Sequence, residues 1–421
     1  YPQIRLQRQT ELLGFQQGSE GIEAQICALD QPPQTINCLY LIGADGASSL
    51  VRQVLGLGFK GSTYSEDWLV VDARNVLQPI DRIEFICDPK RPVPHMVAPG
   101  NRERWEFMLH PGESREAMLH PDKLRELLAP WVPAEQLELE RSAVYRFHAR
   151  VVERFQVDQV FLVGDAAHLT PPFVGQGLCA GLRDVANLGW KLSWVLQGRA
   201  NPSILDSYDQ ERRPHAAAMI RLAKWMGKLV MPRSPLQAVL THGLVRLLRL
   251  LPGPRALLDD LKIKPQNRFR HGLFQPGKRC SRLQRGAHFA QALLRNDAGE
   301  LQLSDDVLGT QLCLVGFGID PHSMLDSTQL ARWQAAGGHC VQICQRGQYL
   351  QRKPGLHVWE DMCGAFVGEL APFAWLAVVR PDRTLLHDGP ASTAAQLLND
   401  SLQLLGSPLP QPLATACLAP E

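Results

Sequence analysis

Several features that would place this chain in a large functional class are missing from it. An excess of charge of one sign is missing: 44 Lys and Arg stand against 42 Asp and Glu, a net +2, so no bulk field directs the chain to nucleic acid or to an acidic partner. Long apolar runs are missing too. None reaches the ~18 residues of a membrane span and no signal peptide is read at the start, so no membrane association is expected. Cysteine is sparse, at 10 in 421 residues, with no C-x-x-C and no Cys/His cluster at zinc spacing; a disulfide scaffold and a zinc module are excluded. Cys340 and Cys344 fall on one face of an expected strand, too far apart to bridge directly, and reduced thiols suit the cytoplasm. No G-x-S-x-G nucleophile setting occurs, which disfavours a hydrolase. Lysine is scarce, 10 against 34 arginines, and arginine favours fixed ion pairs over a merely solvated surface. What is present is ordinary for a chain with a sizeable core: 45% hydrophobic and 20% charged residues, at a length that suggests two or three domains.

The order of patterns along the chain predicts an α/β domain that is interrupted by a sheet and then resumes. Ile22–Leu29 and Ile36–Ile42 read as a hairpin-like pair. Within the second, the short apolar run from Leu39 stops at Gly43 like a buried parallel strand, and a helix is expected from Ala47 to Leu55. Trp68–Ala73, Ile83–Cys87 and Trp105–Leu109 read as antiparallel strands, with a helix near Asp122–Leu128. Gln159–Val163 is another buried strand, followed by a Gly/Pro-rich loop and a long helix from Gln176 to Leu196. Residues 216–280 read as helical and basic, broken at Pro252-Gly253-Pro254. From Ser281 a separate small α/β unit is expected, with strands at Gln311–Phe317, Cys340–Cys344 and Trp375–Val379, a helix at Ser327–Ala336 and a loose tail from Gly406.

Two segments carry chemistry. In Val160–Val163 followed by Gly164-Asp165-Ala166-Ala167-His168, an apolar strand delivers Asp165 to its carboxyl end, where parallel-sheet folds bind ligands. Gly164 and the alanines leave room for a bulky group, and a carboxylate there accepts hydrogen bonds from sugar-like hydroxyls. Pro171-Pro172 stiffen the loop, and Gly175-Gln176-Gly177 opens a helix whose free amides stabilise negative charge. The second segment, Gly43-Ala44-Asp45-Gly46…Ser48-Ser49…Arg52, again ends a strand in a carboxylate, with Ser48 or Ser49 able to cap the helix that carries Arg52. A literal G-x-G-x-x-G at Gly56–Gly61 follows a helix and enters a strand, the reverse of the dinucleotide-binding context, and is expected to be a turn between domains.

Together the two segments resemble the paired signatures of the class A flavoprotein aromatic hydroxylases, and Asp184, Asn187, Trp190, Lys191 and Tyr208…Glu211-Arg212-Arg213-Pro214 continue the likeness. Ile86-Cys87-Asp88-Pro89…Arg91-Pro92, Arg104–Met108, Pro111-Gly112-Glu113 and Arg380-Pro381-Asp382-Arg383 are similar to the 3-(3-hydroxyphenyl)propionate hydroxylase branch. The resemblance implies an α/β chain with an incomplete FAD-binding Rossmann-like domain (1–60, returning at 151–215), an inserted antiparallel-sheet substrate domain (61–150), a helical connection (216–280) and a C-terminal thioredoxin-like domain (281–421). It implies an FAD- and NADH- or NADPH-dependent monooxygenase that uses dioxygen to hydroxylate a small phenol next to its hydroxyl, as a possible homo-oligomer. Asp165 would bind the ribityl chain, Pro172 would place its carbonyl near the flavin, and Gly177, Leu178 and Cys179 would present amides to its N1/C2=O edge. Gly164, Gly175 and Gln176 would shape that site, and Asp45 and Arg52 would complete it.

The family's N-terminal βαβ unit is absent from this sequence, which begins at Tyr1 and has its first methionine at Met96. The expectation is therefore the remainder of a longer protein, with exposed strand edges and weak FAD binding. A same-fold hydroxylase of another phenol or polyketide, and a non-catalytic chain, are the alternatives. Among weaker candidates, His168 is expected to bond structurally within its loop, and Cys313 has no partner for redox work. Leu236–Leu251 is expected to be a helix packed on the flavin domain, and the basic run Lys262–Arg285 a solvated linker.

Overall fold

The computed structural model describes residues 1–421 except 75, 77–78, 134–137, 233, 254, 256–264, 278–280, 349–356 and 407–421. Thr10–Gly18, Gly21–Ala28 and Gln34–Cys38 form an antiparallel meander. The expected hairpin partners do pair, but the second run divides. Gln34–Cys38 stays in the meander, whereas Leu41–Gly43 joins Val160–Leu162 in a separate parallel pair extended by Gln156–Val157. Ile42 is half exposed, so the expectation of a strand buried on both faces holds for Val160–Leu162 and not for Leu41–Gly43. The following helix is shorter than expected, Leu50–Val54, because Ser49 caps it and Gly46, at φ 77°, turns the chain before it.

The inserted sheet has six strands, built around the long pair Phe59–Arg74 and Glu138–Val152. Alternation of period two divides its faces. Leu69, Val71, Ala73, Trp105 and Phe107 pack beneath the helix Pro121–Leu128. Trp68 turns to the opposite face, where it meets Phe173 and Val230. Gly56–Gly61 leads from the Leu50–Val54 helix into Phe59–Arg74, so it occupies the non-dinucleotide context read from the sequence.

In the C-terminal part, Leu312–Phe317, Gly338–Gln345 and His357–Asp361 run parallel, and Trp375–Val379 and Leu385–Pro390 add antiparallel strands within a seven-stranded sheet. Both faces are covered. Leu312 and Leu314 join the core that includes Phe161, Trp194 and Leu398, while Cys313, Val315 and Phe317 pack with Phe289 and Phe366 on the other side. That continuous first core docks the C-terminal sheet on the N-terminal half of the chain. Burial pushes the Cys313 thiol well up and the Cys340 and Cys344 thiols to about 12, which leaves all three unreactive.

Two expectations about the connection fail. Helix Ser207–Val230 begins well before residue 216 and Pro235–Leu248 follows it, but the described residues from 265 to 277 are not helical. Nor is that stretch a solvated linker: Phe269 and Leu273 are buried, and the Leu273 amide donates to Glu211 at 2.7 Å. The basic cluster at 262–264 lies outside the described residues. Helix Pro235–Leu248 buries no residue fully: Leu236, Val239, Leu240 and Leu244 are exposed, while Ala238, Thr241, His242, Val245 and Leu248 form a half-buried stripe.

Candidate active site

Register brings the two sequence-selected segments together. Leu162 lies opposite Gly43 in the parallel pair, and the Val163 amide donates to the Gly43 carbonyl at 3.0 Å. Both chains therefore leave the sheet at the same end, and Asp45 and Asp165 follow adjacent strands, as ligand-binding residues do in parallel-sheet folds. Asp45 Oδ2 accepts from the Val51 amide at 3.1 Å, and Ser49 rather than Ser48 caps the helix by accepting from the Arg52 amide at 3.0 Å. Arg52 is buried. Its guanidinium donates to the carbonyls of Ala47 at 2.7 Å and Ala166 at 2.9 Å, and lies 4.1 Å from the centre of the Phe59 ring. It thus pins one segment to the other and is turned inward.

Asp165 sits in the short turn Gly164–Ala166, exposed, and no described residue hydrogen-bonds to its carboxylate. Gly164 adopts φ 58° and its amide is held by Asp184 Oδ2 at 3.1 Å. Gly181, on the helix Gly177–Leu196, backs this turn so closely that a Cβ there would lie 3.2 Å from Gly164 Cα. Gly181→Val should push helix and turn apart and lower stability by roughly 1–3 kcal/mol, the usual range for overpacking. The check is a urea denaturation curve against wild type; a change below about 0.5 kcal/mol would mean the contact is slack.

The next loop presents an open amide cluster. Pro172–Val174 forms a single 3-10 turn, closed by the Gly175 amide (φ 59°) donating to the Pro172 carbonyl at 2.7 Å. Gln176 precedes the helix without a side-chain cap, a Cβ on Gly175 or Gly177 would meet nothing within 4 Å, and Leu178 and Cys179 are exposed. The first amides of a long helix therefore face outward with its positive end. Behind them Phe173 is buried edge-on against Trp68 and Phe147, at centroid distances of 5.9 Å each, and Trp68 stacks on Phe147 at 5.4 Å. This gives the loop a dry apolar backing. A cavity of about 510 Å³ adjoins it, bounded by Tyr64, Met108, Gly227 and Met231. A larger hollow of about 950 Å³, beside Tyr40, Glu153 and Asp209, is lined by none of the residues expected to touch the cofactor.

Beneath the loop lies a buried charge network. His168 does not bond within its own loop as expected; its Nε2 pairs with Asp184 Oδ2 at 2.8 Å, across to the long helix. Asp184 Oδ1 accepts from Arg212 Nε at 2.8 Å. Burial opposes the Asp184 charge, but His168 and Arg212 outweigh it and hold the carboxyl below its ordinary value. Tyr208 donates to the Leu162 carbonyl at 2.7 Å. Glu211 is wholly enclosed, accepting from Asn187 at 2.6 Å, Lys191 at 2.9 Å, and Arg380 at 2.6 and 2.9 Å. Although burial works against it, Arg380 keeps the Glu211 carboxylate charged. Residues 184–213 thus support the site from within, and the Arg380–Arg383 motif of the C-terminal part docks into it.

The FAD binding domain family matches residues 2–223, and the HcaD C-terminal domain family matches residues 286–404. The first match covers the two strand-end carboxylates and the helix that begins at Gly177, so the class is that of FAD-binding flavoproteins. The chain belongs to the flavin-dependent aromatic hydroxylases, which are monooxygenases. It is 36% identical over 393 residues to a 3-(3-hydroxy-phenyl)propionate/3-hydroxycinnamic acid hydroxylase of Burkholderia vietnamiensis, covering 91% of this chain and 72% of the relative. It is 33% identical over 413 residues to the hydroxylase of that name from Shigella sonnei, covering 97% and 74%. The fold is shared with the flavin-dependent monooxygenase PieE, solved with FAD and substrate (TM-score 0.74, 21% identity, 94% of this chain and 75% of that one). Aklavinone-11 hydroxylase, solved with FAD and aklavinone, is similar (TM-score 0.70, 22% identity, 94% and 74%).

The residues present fit the isoalloxazine and ribityl end of FAD. An unpartnered carboxylate, uncapped helix amides and two glycines open on their Cβ side stand around one loop. Sequence reading did not single out Gly181 or the role of Glu211 as a tie to Arg380. The i, i+4 spacing of Gly177 and Gly181 was the available signal for the first.

Proposed function

We propose that the protein hydroxylates a phenol next to its hydroxyl, with 3-(3-hydroxyphenyl)propanoate or a close phenylpropanoid as substrate and NADH or NADPH as electron donor. The observation that carries this reading is the Arg52 link from the Asp45 segment to Ala166, beside Asp165 and the open amides of 177–179. The names of the relatives support the substrate class. When bound, reduced FAD would activate dioxygen to supply the oxygen atom that enters the ring. The chain's own residues bind and shield. Asp165 would accept hydrogen bonds from the ribityl hydroxyls, and the amides of Gly177, Leu178 and Cys179 would steady negative charge on the ring edge. Gly164, Gly175 and Gln176 would let the cofactor approach, the Pro172 carbonyl would stand near it, and Asp45 and Arg52 hold the two segments at one spacing. Phe173, Trp68 and Phe147 keep water from that side.

Asp165→Ala is expected to lower FAD affinity about tenfold or more, the loss of one or two charge-assisted hydrogen bonds, with far-UV circular dichroism unchanged. Fluorescence titration with FAD measures it, and equal affinity in the variant removes Asp165 from the site. Substrate class is tested by NADH and NADPH oxidation over a panel of phenols with and without a propanoate side chain. Oxidation stimulated equally by all of them, or by none, would refute the phenylpropanoid reading.

A further inference from the structure

Lysine is the scarce cation of this chain, 10 residues against 34 arginines, yet three of those ten, Lys90, Lys224 and Lys228, line the 510 Å³ cavity beside Phe173. Lys224 and Lys228 stand one turn apart on the helix Ser207–Val230, where like charges repel. Lys90 comes from the segment before the Val93–Ala98 strand. None of the three ammonium groups forms an ion pair with any described residue. The nearby arginine, Arg91, is already matched by Glu113 at 2.6 Å, and Glu66 is the one acid among the lining residues. A recess with three uncompensated cations and a single acid concentrates anions.

Part of its remaining lining is apolar and adjoins the loop of the proposed chemistry, beside the hydroxyls of Ser62, Thr63 and Ser65 and the ring of His110. Met108, Met231 and Tyr64 line it and pack against the cluster of Trp68, Phe173 and Val230, and Tyr64 meets the Phe173 ring edge-on at 5.9 Å; Phe173 is the residue after Pro172. Gly227 brings this wall against the loop: a Cβ there would lie 2.8 Å from the Phe173 ring. Cationic side chains and an apolar wall thus line one cavity, the combination that an aryl group on a short carboxylated chain would match.

We propose that this recess binds the carboxylate of an arylalkanoate substrate, with Lys224 and Lys228 as its principal cationic ligands, Lys90 opposite, and the aryl group directed toward Phe173. The proposal rests on the phenylpropanoid reading above and names the residues that would select for it.

The test uses ligands that cannot be hydroxylated as phenols. By calorimetry, the protein should bind 3-phenylpropanoate about tenfold or more tighter than 3-phenylpropanamide, the scale of one charge-assisted contact, and the preference should shrink as salt is raised. Lys224→Met/Lys228→Met should reduce acid binding to the level of the amide and leave the amide unchanged. The single variant Lys228→Gln, a milder change at an exposed position, should lose part of the preference. Equal affinity for acid and amide in wild type, an undiminished preference in the variants, or no saturable binding of the acid would overturn the recess. Lysine-dependent acid binding without phenol-dependent NADH or NADPH oxidation would refute the hydroxylation reading alone. Phenylpropanoid-dependent oxidation with a KM indifferent to both lysines would refute the recess alone.

Discussion

Replacing Arg380 with methionine should destabilise the protein by about 3–5 kcal/mol, the usual consequence of removing one partner of a buried pair. Arg380 and Glu211 are both fully enclosed and meet through two hydrogen bonds, at 2.6 and 2.9 Å. Arg380 also donates to the Leu273 carbonyl at 2.9 Å and to Asp382. Without the guanidinium, Glu211 retains Lys191 and Asn187, but the Leu273 carbonyl and Asp382 lose a donor in a place water does not reach. Because Glu211 belongs to the helix Ser207–Val230 and Arg380 follows the strand Trp375–Val379, the loss falls on the joint between the two parts. Urea denaturation followed by circular dichroism should show the lower midpoint, and Glu211→Gln/Arg380→Met should recover part of it. A cost under about 1 kcal/mol for Arg380→Met would mean the surrounding core, not this pair, holds the joint.

The second large effect concerns pH. Glu106 is buried in the strand Arg102–Met108, and burial, only partly offset by Arg104 and reinforced by Asp72, pushes its carboxyl from 4.5 up to about 7. Between those values the native protein keeps a proton that the unfolded chain has released. Stability is therefore lost as pH rises from 4.5 to 7, by about 3 kcal/mol in total, and levels off above 7. Glu106→Gln retains the shape of the neutral acid and should be as stable as wild type below pH 4.5 and about 3 kcal/mol more stable at pH 8. His215 contributes the opposite slope: burial, with Arg212 and Arg183, pushes it down to about 4, so stability falls as pH drops from 6.5 to 4. That term is common to both proteins and cancels in their difference. A difference that does not vary with pH would show that Glu106 is not buried as a neutral acid.

The elements that carry the candidate site were legible because their signals are local. A strand that stops at Gly164-Asp165, a Pro-Pro loop and a Gly-x-Gly helix start each depend on a few neighbouring residues, and the structure places Asp165, Pro172, Gly175 and Gly177 on one continuous loop-and-helix stretch. His168 was read as structural, rightly, but its partner is Asp184, sixteen residues on. A hydrogen bond across to a packed helix leaves no spacing rule to read. The same holds for Arg52: its helix was visible, while its link to Ala166 depends on register between two strands far apart in the chain.

What the sequence determined by itself was the set of elements and the chemistry at their ends, since turn residues, caps and period-two or helical patterns act over a few residues. What only the tertiary structure decided was which ends meet. The parallel register of Gly43 with Leu162, the close approach of Gly181 to Gly164, the enclosure of Glu211 by Arg380 and the gathering of three lysines around one cavity all come from packing between distant segments. Packing free energy is a property of the whole core, so no local stretch of residues encodes it.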